Sequence, residues 1–111
     1  MFEEKTLEER IREYDHIKLR RPTYTPIIVR PQRENIPMID KQKFLVPNDL
    51  TIAQFLFVIR KRLQMKASEA LFLYVNGRCL SGGQLICTIH ANHKSEDGFL
   101  YLVYALENTF G

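Results

Sequence analysis

Three residues in the run "QLICTIHANH" could do chemistry together. Cys87, His90 and His93 lie three apart, and a thiol with two imidazoles is a donor set that zinc accepts. A six-residue span on a helix, however, spreads the three over about 120° of its surface and about 9 Å of its length, too far for one ion. No Cys-x-x-Cys partner stands elsewhere in the chain. Cys79 or Cys87 beside a histidine would also suggest a thiol nucleophile, but no oxyanion or orienting group is identifiable for it. Gly82 and Gly83 in "LSGG" have no Walker pattern around them and read as a turn, not a phosphate cradle. The sequence thus predicts no enzyme, no metal site and no cofactor. The remaining reactive candidate is the last residue. "ENTFG" ends on Gly111, and a residue without a side chain lets a narrow catalytic cleft admit its backbone closely. The competing reading is an ordinary frayed terminus.

The elements that would present this tail follow from periodicity. "FLYLVYAL" (Phe99 to Leu106), just before it, reads as a strand buried on both sides. Leu7, Ile11, Tyr14 and Ile17 trace one face of a helix, which Pro22 stops. "YTPIIVR" (Tyr24 to Arg30) is a strand, "PQRENIPMID" a loop, and "KQKFLVP" (Lys41 to Pro47) the return strand of an antiparallel hairpin. "TIAQ" is a capping box, with Thr51 as N-cap and Gln54 three residues on. Ile52, Phe55, Ile59 and Leu63 form the buried stripe of its helix. Leu56, Phe57 and Val58 widen the apolar surface beyond that stripe, so the helix buries two sides or leaves an apolar pocket at its edge. "ALFLYVN" (Ala70 to Asn76) is a third strand, "QLICTIHA" (Gln84 to Ala91) a short helix or turn, and "GFLYLVYA" (Gly98 to Ala105) the fourth strand. After the first helix the order is β-β-α-β-α-β. This predicts an α+β fold, a ubiquitin-like β-grasp with a four-stranded mixed sheet whose last strand runs through the middle. The expected division is a helical segment over 1–22, the β-grasp core over 23–106 and a tail over 107–111.

At 111 residues with 45% hydrophobic and 26% charged side chains, the chain is one globular domain and not a disordered segment. Its two cysteines fit a reduced, intracellular setting. The start "MFEEKTLEER" shows no signal-peptide pattern. No apolar run approaches the roughly 20 residues that span a bilayer. The net charge of +3 is concentrated mid-chain, where Lys41, Lys43, Arg60, Lys61, Arg62 and Lys66 face one acid, Asp49. Such a patch attracts nucleic acid, anionic lipid or acidic peptide. Nucleic acid fits poorly, because the basic residues are not interleaved with a recognised aromatic motif. Arg60 and Lys61 read as a solvated helix end that suits the helix dipole.

"IDKQKFLVPNDLT" (Ile39 to Thr51), "IRKRL" (Ile59 to Leu63), "ALFLYVN", "EDGFLY" and the closing "ENTFG" carry a resemblance. From about Leu7 to Gly111 the chain resembles the autophagy ubiquitin-like modifiers, the autophagy-related protein eight family with the GABA-receptor-associated protein and the microtubule-associated light chains. The resemblance implies a modifier and not an enzyme. An activating enzyme (E1-like) and a carrier enzyme (E2-like) would pass Gly111 to phosphatidylethanolamine. Phe110 would belong to the tail that these enzymes and a processing and delipidating cysteine protease recognise. The protein would be a cytoplasmic monomer, and would sit on autophagosome or vacuole/lysosome membranes when lipidated. There it would capture cargo receptors, with no nucleic-acid partner. Family precursors often carry residues after this glycine, so the chain is either naturally ready to conjugate or a processed form.

The family's ligands are peptides with an aromatic, two intervening residues and an aliphatic, which dock by adding a strand to the sheet edge. Anchors three residues apart on a strand point to opposite faces, so the edge needs one pocket on each side. In "KQKFLVP", Lys41, Lys43 and Leu45 point one way and Phe44 and Val46 the other. The resemblance implies an aromatic pocket of Glu13, Ile17, Pro26, Lys43, Leu45 and Phe99. It implies an aliphatic pocket of Phe44, Val46, Pro47, Leu50, Phe55 and Val58. Lys41, Lys43 and Arg62 would attract acids flanking the peptide core. Several features depart from the family. The N-terminal helical extension is shortened, "LSGG" replaces a proline-containing segment, Phe44 replaces a tyrosine, and Ala53 replaces a glycine. The alternatives are a protein-conjugating sister modifier, which "NTFG" disfavours, and an unconjugated β-grasp adaptor that only binds peptides.

Overall fold

Thr6 opens the first helix with a capping box: its side chain accepts from the Glu9 amide, and Glu9 returns to the Thr6 amide. The computed structural model describes residues 4–34 and 36–107, Glu107 as backbone alone. Helix α1 runs Leu7–Arg20, and the Lys18 ammonium ties its C-terminal end to the carbonyls of Pro22 and Tyr24. Strand β1 (Tyr24–Pro31) and strand β2 (Lys43–Pro47) form the expected antiparallel hairpin. Helix α2 (Ile52–Leu63) starts at Thr51, whose side chain accepts from the Gln54 amide as the capping box predicts. Such a cap contributes about 1 kcal/mol. Gln64 ends α2 in the left-handed region at φ 54°.

The sheet has five strands where the sequence predicts four. Strand β3 (Ala70–Val75) is followed by β4 (Arg78–Cys79), two residues paired to Tyr74 and Val75. The turn between them is Asn76-Gly77, with φ of 49° and 78°. Two left-handed residues in a two-residue loop match the right-handed twist of the flanking strands, and Asn-Gly is the pair that adopts them most readily. Helix α3 is Ile86–His93, resolving the choice between helix and turn. Strand β5 is Leu100–Glu107, with Gly98 just outside it at φ +96°.

The strand order is β2-β1-β5-β3-β4, with β5 central, parallel to β1 and antiparallel to β3. Ile27, Val29, Phe44, Val46, Leu71, Leu73, Leu100, Leu102 and Tyr104 face the core that α2 and α3 close with Ile52, Phe55, Ile59, Ile86 and Ile89. Full burial of each such aliphatic or aromatic side chain contributes about 1.5–3 kcal/mol before entropy is counted. The opposite sheet face carries α1, beneath which Ile28 and Phe99 are also buried. The molecule is therefore a sheet between two helical layers. Tyr104 fixes the β1–β2 loop from the centre of the sheet. Its hydroxyl donates to the Pro37 carbonyl and accepts from the Ile39 amide.

Candidate functional site

The geometry of β2 follows from one hydrogen bond and the register. Val29 donates its amide to the Gln42 carbonyl at 2.8 Å. Ladder pairs alternate between bonded and non-bonded, so Ile27–Phe44 and Thr25–Val46 are bonded pairs and Ile28–Lys43 and Pro26–Leu45 are not. The backbone N–H and C=O groups of Leu45 consequently point away from β1, at the outer edge of the sheet. Proline at position 26 costs nothing in this ladder, because a non-bonded position asks for no amide toward β2. Among the described residues, β2 pairs with β1 alone.

Side chains alternate across this edge. Phe44 and Val46 turn into the core, at 5% and 7% exposure, while Leu45 is 39% exposed on the α1 face. On the core face, Phe44 meets Phe55 edge-on, with centroids 5.4 Å apart. The Lys41 ammonium stands 5.3 Å and the Arg62 guanidinium 5.6 Å from the Phe44 ring centre. Arg62 Nη1 also donates to both Asp40 carboxylate oxygens, at 3.2 and 3.3 Å. Val58 is 37% exposed on α2, Pro47 is exposed and Leu50 half-buried. Asn48 holds the loop between them. Its side chain accepts from Thr25 Oγ1 at 2.6 Å, and its carbonyl accepts from the Cys87 amide.

On the α1 face, Pro26 lies opposite Leu45, and Glu13 reaches across to Lys43. The other Glu13 oxygen binds Lys5 at 2.6 Å. Burial acts to raise the Glu13 pKa, but the Lys43 and Lys5 ammonium groups outweigh it and hold the carboxyl below its ordinary value. Ile17 is half-buried one helical turn beyond Glu13. Phe99 is wholly buried, with Tyr14 edge-on above it at 5.5 Å.

The structure thus brings together Glu13 with Lys43, Pro26 with Leu45, and Phe44 with Phe55, Lys41 and Arg62; Lys41, expected on the Leu45 side, precedes β2 and so reaches the Phe44 ring instead. Two residues sit deeper than the pocket roles implied by the resemblance, and as deep as the periodicity predicts. Phe55 was expected at a pocket rim and Phe99 in a pocket wall, but both are 0% exposed. The reason is that α2 turns Ile52, Phe55 and Ile59 onto the sheet as one stripe, while Phe99 is roofed by Tyr14. Each can shape a pocket only from below. Phe110 and Gly111 lie outside the described residues, as does most of the predicted tail. His90 and His93 take separate partners, the Gly98 carbonyl and Asn76. Among the described residues no group of three or more His, Cys, Asp and Glu side chains could hold a metal ion.

Sequence reasoning missed how α1 is held. Asp97 is buried, and its carboxylate accepts from Arg10 Nε at 2.9 Å, from the Phe99 amide at 2.9 Å and from the Tyr101 hydroxyl. Burial and this hydrogen bond to Asp97 both raise the Tyr101 pKa. The available signal was an acid and a glycine set directly before a wholly apolar strand in "EDGFLY".

The five-stranded sheet, the helix packed across it and the central final strand define a ubiquitin-like protein. Its sequence matches the family model described as Autophagy protein Atg8 ubiquitin like over residues 9–111. The chain belongs to that family. It is 43% identical over 105 residues to Autophagy-related protein 8e of Arabidopsis thaliana, covering 94% of this chain and 86% of that one. It is 44% identical over 110 residues to Autophagy-related protein 8 of Candida albicans, covering 98% and 82%. The crystal structure of Trypanosoma brucei ATG8 superposes with a TM-score of 0.89 at 41% identity, covering 97% of this chain and 94% of that one. The family is one of ubiquitin-like autophagy proteins. Among the described residues no helix is long and apolar enough to cross a membrane.

Proposed function

We propose that this protein is a modifier conjugated through Gly111 to phosphatidylethanolamine on autophagosomal membranes, where it binds aromatic-x-x-aliphatic receptor peptides. It catalyses nothing itself. Activating and carrier enzymes form the bond, and a cysteine protease processes and reverses it. It moves between the cytoplasm and the autophagosome or vacuolar membrane. The observation that carries the peptide half is the β1–β2 register. It turns the Leu45 backbone to the sheet edge while neighbouring side chains face opposite sides, so an added strand would find one apolar surface on each face. Lys43 and Arg62 already hold Glu13 and Asp40. An acidic peptide must therefore exchange with these residues, which favours electrostatic selection and encounter over raw affinity.

A reconstituted lipidation reaction tests the conjugation half. It needs the protein, the two enzymes, ATP and liposomes containing phosphatidylethanolamine. Mass spectrometry is expected to find an amide at Gly111, absent in Gly111→Ala. No adduct beside an active reference modifier would instead favour a protein-conjugating relative or a plain peptide adaptor.

A further inference from the structure

Tyr14 fits a socket made by Phe99, from the floor of the expected aromatic pocket, and by His90 and Gly98, which lie outside the peptide site. Its ring stacks on His90 of α3, with centroids 5.8 Å apart and planes at 17°, and stands edge-on to Phe99. Its third neighbour is Gly98. A Cβ built there would come within 2.4 Å of the Tyr14 ring, so only glycine leaves the space. His90 closes the socket. Its Nε2 lies 2.8 Å from the Gly98 carbonyl oxygen and 3.1 Å from the Tyr14 hydroxyl. A carbonyl only accepts, so Nε2 carries the proton and the neutral ring is the Nε2–H tautomer.

This socket sits on the turn that also holds α1 one helical turn earlier, at Arg10. Ser95 and Phe99 close the turn through their backbones, and its Asp97 receives Arg10. Helix α1 is thus attached at residues 10 and 14 to one short loop. Glu13 precedes Tyr14 directly and Ile17 follows one turn later, so a tilt of the helix at Tyr14 displaces both.

We infer that His90 is a positioning residue for the aromatic half of the peptide groove, holding α1 through Tyr14 where Glu13 reaches Lys43 of the edge strand. The inference rests on the peptide reading above. Its occupant is that same aromatic anchor, and its control is the protonation state of His90. From α1, His90 faces Tyr14 and the Lys18 ammonium, with Asp15 acting on Tyr14; from the turn it faces the Gly98 carbonyl; from its own helix end, Lys94. The nearby Asp97 carboxylate is already occupied. Burial lowers the His90 pKa, and Lys94 and Lys18 lower it further against the Gly98 hydrogen bond. A second proton, at Nδ1, therefore opposes the seating of α1.

The test compares the full chain with His90→Gln and His90→Leu. Amide hydrogen exchange is read over α1 and β5. Binding is measured for a labelled Trp-x-x-Leu peptide and for the same peptide with Leu in place of Trp. His90→Leu is expected to lose about tenfold protection in α1 with β5 unchanged, and about fivefold of its preference for the Trp peptide. His90→Gln keeps an N–H for the Gly98 carbonyl and restores both. Lowering pH from about 7.5 to about 5.5 is expected to reduce α1 protection in the unsubstituted chain and not in His90→Gln. Unchanged α1 protection in His90→Leu, no rescue by Gln, or an intact pH response in His90→Gln would each overturn the inference. Should His90→Leu lose β5 protection too, the Gln and pH arms decide. A wild-type chain that binds neither peptide overturns the peptide reading instead, and α1 exchange alone then judges the seat.

Discussion

Glu13 holds two lysines, Lys5 from before α1 and Lys43 from the edge strand. Its carboxyl is held below the ordinary value of 4.5 despite burial. A depressed carboxyl pKa contributes stability above the unfolded value, and that contribution is lost as pH falls through the folded one. An NMR titration of the Glu13 carboxyl carbon is expected to give a midpoint below 4.5; a midpoint at or above it would mean that the two lysines do not engage it. Leu45 is the complementary case, an apolar side chain left 39% exposed on the edge strand. Leu45→Asp should weaken the receptor peptide by about tenfold or more. The melting temperature should change little, because the position is outside the core. The alternation that makes Leu45 available was legible in "KQKFLVP", since period two separates Leu45 from Phe44 and Val46. The depth of Phe55 and Phe99 was legible too, in the buried stripe of α2 and in the doubly buried run from Phe99; the resemblance alone placed them at a pocket rim and wall.

At the scale of elements, the helices were readable wherever their signals are local. The Thr51–Gln54 box marked the start of α2 correctly, and the apolar stripe at Leu7, Ile11, Tyr14 and Ile17 marked α1. The missed strand β4 has no stripe and no alternation, being two exposed residues. Its signal was the Asn76-Gly77 turn. The seat of α1 was hidden for a different reason. Positions 14, 90 and 98 meet only after the fold closes, and no spacing in the chain connects them. Gly98 is where this seat is most vulnerable. Gly98→Ala meets both a strained positive φ, costing about 1–3 kcal/mol, and the Tyr14 ring at 2.4 Å. Denaturant unfolding should show a loss of that size or more, and hydrogen exchange should open α1 before β1 and β5. Equal protection of α1 in this variant would mean that the ring relocates without cost.

For the whole molecule, the order of elements pointed to the β-grasp with a central final strand; that helices cover both faces of the sheet is seen only in the fold itself. Charge adds a prediction at this scale. The Lys41 to Lys66 stretch is basic, and exposed charges more than about 10 Å apart are screened at about 0.1 M salt. Stopped-flow binding of an acidic receptor peptide should slow in association as salt rises, with dissociation nearly constant. A salt-independent association rate would remove the steering role of Lys41, Lys43 and Arg62. Strand β5 has one more consequence, and it is mechanical. It is flanked by β1 in parallel and by β3 in antiparallel, and its Tyr104 also tethers the β1–β2 loop. A pull transmitted along β5 from its C-terminal side loads both ladders lengthwise. Bonds loaded in that direction share the force and fail together, whereas an edge strand peels one bond at a time. A tether attached beyond Glu107 would therefore pull on a strand held by two ladders, while a peptide added at β2 would be held by one.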